Sequence, residues 1–259
     1  MSSINDYDHY AALRQKELKA GEKLPHRFVE KPAMKQLLPN LNGKKVLMLG
    51  CGTGEESTML TDFGATTLVG VDLSAESIRL AKESYPAHEF LTTDMHSLPF
   101  EDSSFDFAYS SLTIHYSKTP VEVYKEIYRV LKPGGVLQFS VGHPMRWASE
   151  RIDIEGVTTK VLGFSENKDV PRLYGSYSSF QEYDETFPSG ETLRFWIGPP
   201  SMHFNLLVKS GFAVEKFIET KAVDECKDVD RYYYERFSQF PQFTVFSARK
   251  LPEQPDLFT

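Results

Sequence analysis

Cysteine is scarce in this chain: two in 259 residues, Cys51 and Cys226, neither in a C-x-x-C pair. That excludes a disulfide framework and a zinc signature built on paired cysteines. No apolar run approaches the ~18 residues of a membrane span. The opening MSSINDYDHY is polar and acidic, unlike a signal peptide. No block of lysine and arginine stands anywhere, and the formal net charge is −7. Nonspecific attraction to a polyanion is therefore not the design. Internal repeats and low-complexity segments are absent too. Together these absences lead us to expect a reduced, cytoplasmic protein that handles a small molecule without nucleic acid or membrane, as a monomer or homodimer.

What is present is enough for one large α/β domain, with 41% hydrophobic and 25% charged residues. Residues 1–42 read as helix-prone pieces (AALRQKELKA, then KPAMKQLLP), expected to form a lid that carries Tyr7, Tyr10 and Arg14. From Lys44, short apolar runs alternate with helical patterns: KVLMLG, TTLVGVDL, HEFLTTD, SFDFAYSSL and VLQFSVG are each followed or preceded by about ten helix-prone residues. That rhythm predicts a doubly wound, mostly parallel sheet with crossover helices. Ser74 followed by Glu76 and Ser77 predicts a helix start, and Pro133-Gly134-Gly135 a stop. Residues 144–198 break the rhythm and are rich in Tyr, Phe, Ser and Gly, which suggests an inserted cap. Residues 199–259 return to a helix and two strands expected to pair antiparallel. On this reading the cofactor-binding half is 43–143.

The motif VLMLGCGTGEES (Val46–Ser57) places glycines at 50, 52 and 54 between a strand and a helix. A dinucleotide loop wants G-x-G-x-x-G, with its third glycine where the pyrophosphate meets the helix. Here that place is Glu55. Its carboxylate suits a helix N-terminus but repels phosphate. At the next strand end, Asp72 can accept both ribose hydroxyls of a nucleoside, of NAD as much as of another adenosine compound. After the third strand, Asp94 can accept an adenine amino group and Met95 can cover a purine face. The pattern holds adenosine without a phosphate subsite.

VLMLGCGTG, GVDLS, the run TDMHSLPFEDSSFDFAYSSLTIHY and YRVLKPGGVLQFS resemble the ordered motifs of class I S-adenosylmethionine-dependent methyltransferases. Among these they are most similar to the branch resembling ubiquinone- and menaquinone-biosynthesis enzymes that act on small molecules. The resemblance spans residues 30–142 and, more loosely, 199–249. It implies a Rossmann-like seven-stranded sheet and S-adenosyl-L-methionine as cofactor. Gly50, Cys51, Gly52, Thr53 and Gly54 would wrap the methionine part, Asp72 the ribose, Leu73 and Met95 the adenine faces, and Asp94 the amino group, with Ser110 also on the cofactor side. Many similar enzymes carry Asp where this chain has Met48, a carboxylate that helps place the cofactor's amino group. Glu55 or a backbone carbonyl is the candidate substitute.

Several acceptors are disfavoured. After the fourth strand stands Tyr109-Ser110-Ser111-Leu112, not the [DN]-P-P-[YFW] of enzymes that methylate base amines, and no Pro-Cys nucleophile occurs there. No carboxylate cluster for Mg²⁺ is evident, so no metal is expected. A small organic acceptor, methylated at O, N, S or C, is left. His115 and His143, each just beyond a strand end, are the candidate bases, with His143 the sharper one. Arg146 and Trp147 follow it and are expected, with Tyr177 and Trp196 from the aromatic cap, to shape the acceptor pocket. Two rivals remain: a catalytically silent protein that binds S-adenosylmethionine or S-adenosylhomocysteine, and an NAD-dependent oxidoreductase.

Overall fold

The computed structural model describes residues 8, 11, 13, 15, 16, 23–167, 169–186 and 192–252. Tyr7, Tyr10 and Arg14 lie outside the described residues. A π-helical turn (His26–Glu30) runs straight into α1 (Lys31–Leu37), with Pro32 in its first turn, where a missing N–H costs nothing. Then follow β1 (Lys45–Leu49), α2 (Glu56–Asp62), β2 (Thr67–Asp72), α3 (Ala75–Ser84), β3 (Glu89–Thr92), β4 (Phe105–Ser110), α4 (Pro120–Val130) and β5 (Leu131–Gly142). The cap comprises α5 (Pro144–Trp147), β6 (Glu150–Ile154), β7 (Val157–Val161), β8 (Gly163–Phe164), β9 (Leu173–Tyr174), β10 (Gln181–Thr186) and β11 (Thr192–Ile197). The chain closes with α6 (Pro200–Lys209), β12 (Phe212–Glu219), α7 (Arg231–Gln239) and β13 (Phe243–Lys250).

Seven strands form one sheet in the order β12-β13-β5-β4-β1-β2-β3. β1 to β5 pair in parallel, and β13 runs antiparallel to both of its neighbours. The expected antiparallel pair of closing strands is present, but β13 slots between β5 and β12. There Phe246 stacks on Phe139 with ring centroids 5.1 Å apart. The stretch joining β12 to β13 holds α7, a helix that the sequence reading did not foresee.

Alternation along β1 divides the two cores. Leu47 and Leu49 pack with Val123, Tyr124 and Ile127 of α4 and Leu207 of α6. Val46 and Met48 pack on the other face with Met34 and Leu37 of α1, Leu60 of α2 and Ile78 of α3. Ser74 caps α3 as expected, its side chain accepting from the Ser77 N–H. The cap is three antiparallel ribbons rather than irregular chain: β6 with β7, β8 with β9, β10 with β11. In β11 Leu193, Phe195 and Ile197 are buried at alternate positions, so that ribbon has one face toward the domain. Among the described residues no helix is long and apolar enough to cross a membrane.

Candidate functional site

The carboxyl ends of β1 to β5 share one edge of the sheet, where open α/β folds place ligands. The chain leaves β1 through Gly50, Gly52 and Gly54, at φ +59°, +53° and +85°. These are left-handed conformations that other residues adopt at a cost. At Gly50 a Cβ would also lie 2.1 Å from Thr113 Cγ2, so the loop passes the β4 end with no room for a side chain. Asp72, at the tip of β2, is oriented by backbone: Oδ2 accepts from Gly52 N and Oδ1 from Ser74 N, both at 2.9 Å. Past β3, Asp94 Oδ1 accepts from the His96 N–H at 2.9 Å and meets the His96 ring. Partial burial pushes the Asp94 carboxyl up, but the His96 hydrogen bonds outweigh it and hold the group below its usual range. Asp94 is thus an ionised acceptor at neutral pH.

These groups border one cavity of about 840 Å³, whose wall includes Gly50, Asp72, Leu73, Asp94, Met95, His115, Arg146, Trp147 and Trp196. Ala11 of the N-terminal segment also lies in the wall, and Asp8 accepts from Ser74 Oγ and Glu76 N. Cys51, Gly52, Thr53, Gly54 and Ser110 do not border the cavity. The Cys51 thiol is buried and its pKa pushed well up by that burial, so it is no nucleophile. Thr53 donates to Glu55, which turns this carboxylate toward its own loop. Met48 is core, 2% exposed, and the Ser57 hydroxyl lies 3.9 Å from its sulfur.

The cap wall gathers around Glu185. Arg146 donates to it at 3.0 Å and the Trp147 indole N–H at 3.3 Å. Phe195 packs edge-on against Trp147 and His115, with centroids 5.7 and 5.6 Å away. Two expectations for the acceptor side are not met. His143 is 1% exposed and does not border the cavity. Its Nδ1 accepts the Met145 N–H at 3.1 Å as the N-cap of α5, and its Nε2 meets Glu219 at 3.0 Å. Burial pushes its pKa down, against the pull of Glu219. Both nitrogens serve the fold. Tyr177 packs on His143, with ring centroids 6.1 Å apart, and is likewise absent from the cavity wall.

The sequence reading missed a cluster on the opposite wall. His26 borders the cavity and is 6% exposed. Its Nδ1 lies 3.4 Å from Oε2 of Glu30, one π-helical turn on. Glu30 is fully buried, and its Oε1 accepts from Ser111 Oγ at 2.9 Å and Ser140 Oγ at 2.6 Å. Ser140 Oγ in turn accepts the N–H of Leu112, a cavity residue at φ +49°. Burial raises the Glu30 carboxyl to about 7, with Glu56 adding to the rise and the two serines opposing it. The available signal was the H-x-x-x-E spacing in LPHRFVEKP, which sets both residues on one helical face.

The methyltransferase-domain family matches residues 47–139. A crystal structure of an S-adenosylmethionine-dependent methyltransferase from Mesorhizobium loti superposes with TM-score 0.66 and 26% identity, over 85% of this chain and 97% of that one. An uncharacterised protein of Haemophilus influenzae is 36% identical over 151 residues, 55% of this chain and 59% of its own length. A malonyl-[acyl-carrier protein] O-methyltransferase of Pectobacterium atrosepticum is 34% identical over 134 residues, 52% of this chain and 47% of its own. The chain therefore spans about half the length of the curated relatives it matches. Residues 47–139 thus match a methyltransferase domain, and the fold is similar to that of S-adenosylmethionine-dependent methyltransferases.

For a class I methyltransferase the donor set is the right one. S-adenosylmethionine offers ribose hydroxyls and an adenine amino group as donors, and Asp72 and Asp94 present acceptors at adjacent strand ends. It carries a cation and no phosphate, so Glu55 and Glu56 at the start of α2 do not oppose it. Gly50, where a Cβ would collide, leaves the backbone open to close approach. The residues present fit the cofactor. Among the described residues no group of three or more His, Cys, Asp or Glu side chains is placed to hold a metal ion.

Proposed function

We propose that this chain transfers a methyl group from S-adenosylmethionine to a small organic acceptor held beneath the cap. One observation carries the reading. A single cavity is bordered by Asp72-Leu73 and Asp94-Met95 on the sheet side and by Arg146, Trp147, Phe195 and Trp196 on the cap side. A cofactor gripped at the first set leaves the remaining volume for an acceptor at the second.

When bound, the cofactor supplies an activated methyl carbon on a sulfonium, so the chain's own task is chiefly placement. Asp72 accepts the ribose hydroxyls, with its carboxylate already aimed by the Gly52 and Ser74 amides. Asp94 accepts the adenine amino group, while Leu73 and Met95 cover the ring. The aromatic cap excludes water and offers π-faces to a cationic centre. Holding the acceptor atom in line is worth roughly 7–11 kcal/mol of barrier.

Relatives named for malonyl-carrier O-methylation raise the question of a carboxylate acceptor. In this cap Arg146 is engaged by Glu185, and Arg194 by Asp184 at 2.8 and 2.9 Å. The two guanidinium groups on the cap wall of the cavity, Arg146 and Arg194, are already matched, which favours an acceptor without a carboxylate at the attacking position. Incubation with methyl-labelled S-adenosylmethionine and a panel of small phenols, amines, thiols and acids tests the proposal. Labelled product formed together with S-adenosylhomocysteine supports transfer. Tight cofactor binding with no product from any class supports the silent-binder reading instead.

A further inference from the structure

We infer that His26 receives the acceptor's proton during transfer, with Glu30 buried behind it as its positioning carboxylate. The inference deepens the methyl-transfer reading and rests on it. It also narrows the acceptor to one that brings an O–H or N–H to the attacking atom, since an ionised carboxylate has no proton to give.

Geometry carries the assignment. Of the histidines on the cavity wall, His96 joins Asp94 to the Ser117 hydroxyl, and His115 is packed between Tyr116 and Phe195. His26 is the one backed by a buried carboxylate, 3.4 Å away. That carboxylate is fixed from two strand ends at once, by Ser111 after β4 and Ser140 in β5. The same Ser140 hydroxyl holds the Leu112 amide, so the strained bend of the cavity floor and the orientation of the pair share one network. A π-turn places both side chains on one face, a local geometry common at functional sites. The 3.4 Å approach is an ion-pair contact short of a hydrogen bond, and closing it gives the carboxylate-backed imidazole that general bases use. Charged and titratable groups about the pair are Lys31 of α1, Glu56 of α2 and Tyr109 of β4. Lys23 stands beside His26 on the same segment, and Arg146 and Glu185 lie on the cap wall of the same cavity.

The step balances without any further reagent. The acceptor atom's lone pair forms the bond to the methyl carbon as the carbon–sulfur bond breaks, its electron pair staying on sulfur. The acceptor's own proton moves to the His26 ring and leaves to solvent when product departs.

The test uses the 259-residue chain and has a first readout that needs neither cofactor nor acceptor. Imidazole ¹⁵N–¹H spectra across pH are expected to show the His26 ring signals shifting near pH 7 as Glu30 ionises, a shift that Glu30→Gln abolishes. A His26 titration unmoved by Glu30→Gln overturns the pairing. The second readout is turnover of the labelled cofactor with simple phenols and amines as one probe set and carboxylic acids as the other. His26→Gln is expected to bind S-adenosylmethionine within about threefold of wild type while kcat on the hydroxyl or amine probes falls about 10²–10⁴-fold. Glu30→Gln is expected to lower kcat about tenfold or more and to shift the alkaline-rising limb of the pH profile. Turnover confined to carboxylates, or kept by His26→Gln, overturns the inference. Loss of cofactor affinity in His26→Gln overturns it as well, because it assigns His26 to binding. Failure of the wild type itself to bind S-adenosylmethionine refutes the methyl-transfer reading and is separable from all of these.

Discussion

Replacing Glu30 by glutamine keeps the shape of a fully buried side chain while removing its ionisable group. The carbonyl of glutamine can still accept from Ser111 and Ser140. The carboxyl of Glu30 stands at about 7 in the fold against an ordinary 4.5, because burial penalises its charge. That difference is worth roughly 3 kcal/mol. Between pH 4.5 and 7 the folded chain keeps a proton that the unfolded chain has released, so this group's stabilising share falls as pH rises and levels off above 7. His203 acts in the opposite sense over nearly the same window. Burial lowers it from 6.5 to about 4, so it costs stability as the medium is acidified from 6.5 toward 4. The wild-type profile alone therefore blurs the two, and the informative quantity is the difference between the proteins. Denaturant unfolding at pH 5, 6, 7 and 8 is expected to show Glu30→Gln gaining on wild type as pH rises, by about 2.5 kcal/mol between the extremes. Any cost of seating the amide adds a constant offset without changing that slope. A difference that stays flat across this range refutes the reasoning, since it means Glu30 does not carry a raised pKa.

Asp72→Ala removes the ribose acceptor and the partner of the Gly52 and Ser74 amides; at about 1.5–3 kcal/mol for each charge-assisted bond, cofactor affinity is expected to fall at least tenfold by calorimetry. Gly50→Ala, at φ +59° and with its new Cβ 2.1 Å from Thr113, is expected to lose at least about 1–2 kcal/mol of stability and to displace the β4 loop. A melting temperature equal to wild type would contradict that. His143→Ala is expected to cost about 1–2 kcal/mol of stability through the lost α5 cap and to leave cofactor affinity unchanged. A large fall in turnover with unaltered stability would return it to the chemistry.

The parallel sheet was legible because each buried strand is a short apolar run, and Ser74 marks where one crossover helix starts. Asp72 and Asp94 were legible for a related reason: a strand end in such a sheet fixes where the next side chain stands. The cap was less so. β10 and β11 alternate, but QEYDET is polar throughout, and a period of two without apolar residues is a weak signal. The slot taken by β13 depends on packing of Phe246 on Phe139, a contact between distant segments that no local pattern reports. The burial of His143 was not legible, because a histidine after a strand and before Pro144 is also a helix cap, and its partner Glu219 is 76 residues away. Met48 faces α1 and α2, so the carboxylate missing from β1 leaves only core. A carboxylate returns nearby through Glu30, whose charge is felt by Tyr109, the register partner of Met48.

Calorimetric titration of the purified chain with S-adenosylmethionine, with NAD as control, tests the central claim most directly. The account predicts micromolar binding of the first, at one site per chain, and none of the second. Binding of NAD, or of neither, would contradict it.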